Sequence, residues 1–158
     1  IAAAHPVAHP FNTDTYVADT LGPVLIPFIH EALKEKISAS LQRNSVYLLG
    51  VLFQCSSQTS RIWGLLSPLL PAFERLLDRT KVSDGAVTDN AAGCIGRILS
   101  AISVEILASL KISENNMAQA MLGAVPLQDD PSEIHAVCRG LLAFVARNRT
   151  DALLVLEM

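Results

Sequence analysis

Little charge and few aromatic rings mark this chain of 158 residues: Asp, Glu, Lys and Arg make up 17% of it, and Phe, Trp and Tyr only 5%. Twelve basic against fifteen acidic side chains leave a formal charge of -3 with no basic tract, which argues against a nucleic-acid or anionic-membrane surface. Cysteine is also scarce. Cys55, Cys94 and Cys138 are odd in number and lack CxxC or CxxH spacing, so neither a zinc site nor a disulfide framework is encoded. They read as reduced core thiols, which favours a reducing, intracellular compartment. No apolar run reaches the ~18 residues of a membrane span, and IAAAHPVAHP lacks the charged head and long apolar centre of a signal peptide. The chain opens on Ile1 rather than Met, which gives the expectation of a piece of a longer protein. Neither a G-x-S-x-G elbow, a phosphate-binding loop nor a carboxylate pair in a defined cleft is legible, so no catalytic residue, metal or cofactor is expected.

What the chain does have is apolar side chains, 51% of its residues, enough for a sizeable core. They recur with the helical period, while alternating strand patterns and hairpin turns flanked by strands are missing. The expected class is all-α. Breaks around 36–40, 57–62, 80–84, 111–114, 126–131 and 148–150 leave helices near 14–35, 40–55, 63–79, 84–108, 114–125 and 131–147, with a partial helix from Asp151 to Met158. Asp130-Pro131-Ser132-Glu133 reads as a helix start: a capping oxygen, a proline where no N–H is needed, and a glutamate placed to close the capping box. Ser113 before Glu114 and Ser83 before Asp84 give similar signals.

The chain also repeats. LQRNSVYLLGVL (41–52) lies over VTDNAAGCIGRI (87–98) at a shift of 46, pairing Leu41 with Val87, Ser45 with Ala91, Leu49 with Ile95, Gly50 with Gly96 and Asn44 with Asn90. Upstream, PFIHEAL (27–33) lies over PAFERLL (71–77) at a shift of 44. A third copy, IHAVCRGLLAFV (134–145), follows the second at a shift of 47, with Ala143 where the glycine stood. The unit is a helix pair of about 45 residues, within the HEAT and armadillo range. Pro23, Pro27, Pro68 and Pro71 fall in or near the first helices, where a bend is tolerated. On the second helices, apolar positions face the first helix and small residues allow close approach. Arg43, Tyr47 and Gln54 project from the opposite face, as do Asp89, Gly93 and Ser100, with Asn44, Asn90 and Arg97 on its flank. The expected architecture is one HEAT-type α-solenoid over 1–158, a right-handed superhelix of three to four helix pairs at 14–57, 61–109, 113–148 and, in part, 150–158.

In order and spacing, RNSVYLLGVLFQ (43–54), SPLLPAFERLL (67–77), VTDNAAGCIGRIL (87–99) and MLGAVPLQDDPSEIHAVCRGLLAFV (121–145) resemble late HEAT repeats of the importin-beta (karyopherin-beta) transport receptors, most nearly the importin four and importin five branch. The resemblance covers roughly residues 20 to 157, while HPVAHPFNTDTY (5–16) matches nothing in it, and the family's longer acidic insertions are short or missing. It implies a non-enzymatic carrier that shuttles between cytoplasm and nucleus through the nuclear pore. Such a carrier takes protein cargo with a nuclear localisation signal, such as histones or ribosomal proteins, on the concave face of its second helices. It implies Ran-GTP as the release signal, and phenylalanine-glycine nucleoporins in grooves between first helices, through the full-length protein. A HEAT scaffold of phosphatase-regulatory or assembly-chaperone type is the alternative.

The candidate partner contacts are Arg43, Asn44, Tyr47, Gln54, Asp89, Asn90, Arg97 and Arg139. For Asp89, Asn90 and Asn44, bonding to cargo competes with bonding to backbone or an adjacent repeat. Arg97 and Arg139 fit surface or inter-repeat ion pairs, and Tyr47 fits either a partner or the inter-repeat core. His5 and His9 have helical metal spacing, but prolines follow both and no third ligand is near. His30 and His135 read as exposed or hydrogen-bonded, and Trp63 and Phe73 as core. A solenoid cut at both ends exposes apolar flanks, so self-association is expected.

Overall fold

The computed structural model describes residues 20–148 except 35, 58 and 59. His5, His9, the start of the helix expected near 14–35 and the partial helix Asp151 to Met158 lie outside the described residues. Among the described residues there are seven α-helices, two 3-10 turns and no strand, so the protein is all-α. The helices are α1 (Gly22–Ala32), α2 (Ala39–Gln54), α3 (Leu66–Leu77), α4 (Gly85–Ala101), α5 (Val104–Leu110), α6 (Glu114–Gly123) and α7 (Ile134–Arg147). Arg61–Leu65 and Pro131–Glu133 are the 3-10 turns that lead into α3 and α7.

The single helix expected over 84–108 is two. α4 and α5 meet at an angle of 113°. Apolar periodicity runs through the junction, but Ile102 takes an extended conformation and Ser103 caps a new helix, its hydroxyl accepting from the Ile106 N–H. Caps elsewhere follow the sequence in part. Ser113 accepts from the Asn116 N–H at 3.2 Å, and Asp84, rather than Ser83, caps α4 by accepting from the Ala86 N–H at 3.0 Å. The capping box at Asp130 is not formed. Pro131 does open the turn, but Glu133 is 3% exposed and directed elsewhere.

The helices associate in pairs: α1 with α2, α3 with α4, and α6 with α7. The second helices also lie side by side, α2 on α4 and α4 on α7. α4 is therefore enclosed, and every residue from Ala86 to Gly96 is buried. Phe53, Leu66, Phe73, Leu76, Ile98 and Phe144 fill the interior between the two rows. Trp63 is core as expected, tilted on Phe53 at 5.0 Å between ring centres, with its indole N–H donating to the Ser57 carbonyl at 2.8 Å. Side chains tie successive pairs together at their ends. Arg75 on α3 donates to the Leu33 carbonyl, and Arg147 on α7 donates to the Leu99 carbonyl at 2.6 Å and to Glu114.

Three glycines set the spacing of the second helices. A Cβ on Gly50 of α2 would stand 3.0 Å from Cys94 Cα of α4. On Gly96 of α4 it would collide with the Ala136 carbonyl of α7, and on Gly140 it would stand 2.6 Å from Gly96 Cα. Gly50 and Cys94 are 44 residues apart, and so are Gly96 and Gly140, so the same crossing is made twice at one sequence interval.

The cysteines divide. Cys94 is buried, and burial pushes its thiol well above the ordinary range, whereas Cys55 and Cys138 are exposed rather than core. Cys55 is the residue that ends α2, and Cys138 lies on an exposed face of α7. Native protein treated with a maleimide is expected to label at Cys55 and Cys138 within minutes and at Cys94 only on unfolding. Mass spectrometry of the modified peptides checks this, and rapid native labelling of Cys94 would contradict it.

Candidate functional site

The eight candidate contacts fall on three second helices and meet different fates. Arg43, Asn44, Tyr47 and Gln54 on α2 and Arg139 on α7 are exposed, Arg97 on α4 is half-buried, and Asp89 and Asn90 are buried. α2 and α4 carry the same pattern, so the difference is one of neighbours: α4 has a second helix on each side.

Asp89 is completely buried, and both its oxygens are occupied. Oδ1 accepts from Arg79 Nη2 at 2.7 Å, and Oδ2 accepts from the backbone N–H groups of Gln128, Asp129 and Asp130 at 2.9, 2.7 and 2.8 Å. The same Arg79 nitrogen donates to the carbonyls of Ala124 and Pro126 at 2.7 and 3.2 Å. A carboxylate and a guanidinium from one helix pair thus hold the loop that enters the last helix of the next. Burial acts to raise the Asp89 pKa, but the Asp130 N–H, the Arg79 guanidinium and the other two N–H groups outweigh it and hold the carboxyl below its usual value.

Asn90 does the neighbouring work. Its Nδ2 donates to the Ala86 carbonyl one turn back and to Asp130 Oδ2, both at 2.9 Å. Asp130 also accepts from the Ser132 hydroxyl, and its carboxyl is held low by that bond and by Asn90. Asp89 and Asn90 are therefore corrected from candidate partner contacts to inter-helix bonds, the competing reading that the sequence left open. An enclosed, fully bonded group has no surface to offer.

Arg97 of α4 bridges α2 and the turn that leads into α7. Its guanidinium pairs with Glu133 through two bonds, 2.5 and 3.1 Å, and lies over the Tyr47 ring of α2 at 4.7 Å from the centroid. Burial lowers the Arg97 pKa, but Glu133 more than restores it, so the group stays charged. Room for Glu133 comes from Gly93, where any Cβ would collide with the Glu133 carboxylate. Tyr47 is still 47% exposed, so one face of its ring supports Arg97 while the rest meets solvent.

Arg79 and Glu133 are the working residues that sequence reading passed over. Glu133 was assigned to a local capping box, and a local motif says nothing about an arginine 36 positions upstream. The available signal was Gly93, one turn before Arg97, which leaves a gap on that face. Arg79 sits in a turn, where a lone cation carries no periodicity at all.

Two grooves accompany this face. One of about 240 Å³ lies between the first helices α3 and α6, walled by Leu70, Phe73, Leu77, Ile112, Met117 and Ala120. The other, about 310 Å³, runs between α1 and α2, where Phe28, Leu41 and Leu48 are exposed. His30 and His135 are exposed. Among the described residues no group of three or more His, Cys, Asp or Glu side chains is placed to hold a metal ion, and no single helix is long and apolar enough to cross a membrane. Comparison with protein-family models, with curated proteins and with solved structures finds no match to this chain.

Proposed function

We propose that the chain is a HEAT-type α-solenoid segment of an importin-beta-like nuclear transport receptor. Stacked helix pairs are supported by the glycine crossing repeated at 44 residues and by the Asp89 and Arg79 clamp from one pair to the next. The flanks support it too. Leu41 and Leu48 hold the repeat positions of Val87 and Cys94; the latter pair is buried where α2 lies against α4, and the former is exposed where no helix covers α2 among the described residues. These uncovered flanks are the surfaces through which self-association would run.

The observation that carries the transport reading is the groove between α3 and α6. It lies between first helices, is lined by Leu70, Phe73, Leu77, Ile112, Met117 and Ala120 together with the polar Glu74, Lys111, Ser113 and Asn116, and has a volume suited to one aromatic side chain. In this reading the groove takes a nucleoporin phenylalanine, the opposite row of second helices takes cargo, and Ran-GTP governs release from the full-length receptor. Titration of isotope-labelled chain with a phenylalanine-glycine repeat peptide is expected to shift the amides of Phe73, Ile112, Met117 and Ala120. Ala120→Trp, which fills the groove, is expected to abolish those shifts. Absence of any response to the peptide and to Ran-GTP, together with capture of a phosphatase catalytic subunit, would move the assignment to the scaffold alternative.

A further inference from the structure

The groove between α3 and α6 carries charge as well as apolar wall. Glu74 lines it from α3, while Lys111, Ser113 and Asn116 line it from the turn into α6 and the first residues of that helix. Ser113 is committed to the cap of α6, its hydroxyl accepting from the Asn116 N–H. Glu74 and Lys111 are exposed, and neither has an ion-pair partner among the described residues. One unpaired carboxylate therefore stands on the α3 side of the groove, and one unpaired ammonium on the α6 side.

Lys111 holds its place against the preference of the backbone. It ends α5 with φ 56° and ψ 36°, a left-handed conformation, and no other described residue has a positive φ. The Ile112 N–H donates to the Leu107 carbonyl at 3.0 Å and the Lys111 N–H to the Ala108 carbonyl at 3.2 Å, the pair of bonds that closes a helix in this way. Glycine is the usual residue at such a position, because it has no Cβ to crowd the next carbonyl. A glycine would end α5 with less strain, so what the lysine adds is a cation beside the groove.

We propose that this groove selects an extended segment whose phenylalanine is flanked by opposite charges, with Glu74 taking a basic residue on one side and Lys111 an acidic residue on the other. The proposal rests on the reading of the groove as an aromatic-binding site, and names the segments it prefers. Packed helices lie about 8–10 Å apart, and an extended chain rises about 3.3 Å per residue. Residues two before and two after the phenylalanine are thus about 13 Å apart, far enough for their side chains to reach the two walls. Asn116, exposed on α6, adds an amide for the segment's backbone. Because each wall carries one sign, a segment crossing the groove matches it in one charge order and is repelled in the other. A segment of a single sign loses at one wall what it gains at the other.

Three peptides with blocked termini test this on the isotope-labelled whole chain, each with Gly-Phe-Gly at its centre and either Lys and Glu, Glu and Lys, or Ser and Ser at its ends. The amides of Ile112 and Met117 report binding. One charged order is expected to bind about threefold or more tighter than the neutral peptide and the other more weakly than it, with the difference fading as salt rises. The double variant Glu74→Lys, Lys111→Glu is expected to reverse that order. Lys111→Gly is expected to keep or raise the melting temperature and yet narrow the preference, which a purely structural role for Lys111 would not do. Equal affinity for the three peptides, or an order unmoved by the double variant, would overturn the proposal and leave the aromatic site in place. A response to one charged peptide beside none to the neutral one would uphold the charge selection and count against the nucleoporin reading. Silence with all three would overturn both.

Discussion

Asp89→Ala is expected to cost about 3–5 kcal/mol of folding stability, because it strips a buried ion pair of one partner and leaves the rest in place. Arg79 Nη1 is already buried without a protein partner. After the substitution its other nitrogen keeps only two backbone carbonyls, and the N–H groups of Gln128, Asp129 and Asp130 lose their common acceptor. A domain of this size has about 5–15 kcal/mol in all, so the variant should melt about 10 °C lower or more. Asp89→Asn should be nearly as harmful: its shape is kept, but its charge is lost and its NH₂ would be turned toward donors. Asp129→Asn, exposed and one residue from the clamp's core, should be close to neutral. Equal melting curves for Asp89→Ala and Asp129→Asn would contradict the clamp.

The same carboxylate predicts how stability varies with pH. Its folded pKa lies below the unfolded value of about 3.9, so its contribution is complete above that value and is lost as pH falls through the folded one. The wild-type chain should lose stability across that acid window. Asp89→Asn should start lower and decline less over it. Parallel acid curves for the two proteins would show that Asp89 is not a source of the loss.

How much of this could be read from sequence follows from the range of the forces involved. Helix periodicity and breaks are local, so the all-helical class and most of the helical segments with their turns were legible. The break at Ile102 and Ser103 was not, because apolar spacing persists across it and only a serine cap marks it. Burial was harder. Asp89 and Arg43 occupy the same repeat position, yet one is enclosed and the other is exposed, because burial on a second helix depends on whether another helix lies beside it. The acidic cluster before α7 shows the same limit. Asp130 and Glu133 match a capping box in spacing, but Asn90 and Arg97 reach them from the previous helix pair and supply stronger, charge-assisted bonds. Short-range patterns predicted the elements, and contacts about one repeat away decided what the side chains do.

That interval is also where packing should be most sensitive. Gly96→Ala is expected to destabilise the fold by about 3 kcal/mol, at the upper end for overpacking. Helix propensity works in the opposite direction, since alanine is favoured over glycine in a helix interior by about 0.8–1.0 kcal/mol. The net loss therefore measures the contact. A methyl there would collide with the Ala136 carbonyl and stand 2.6 Å from its carbon and 2.9 Å from the Val137 nitrogen. These are backbone atoms that move only if α7 moves as a whole, and moving α7 strains the Arg97 pair with Glu133 and the Asp89 bonds to the loop before it. Gly50→Ala should be milder, since its nearest neighbours, Cys94 Cα at 3.0 Å and the Arg97 side chain at 3.1 Å, need only a few tenths of an ångström. Gly123→Ala, at the exposed end of α6 with open space around it, should gain about 0.4–1 kcal/mol by restricting the unfolded chain. Urea denaturation of the three variants is expected to rank them Gly96, Gly50, Gly123 from most to least harmful. If Gly96→Ala proved neutral or stabilising, α4 and α7 would not meet at that glycine, and the repeated crossing that supports stacked helix pairs would fail with it.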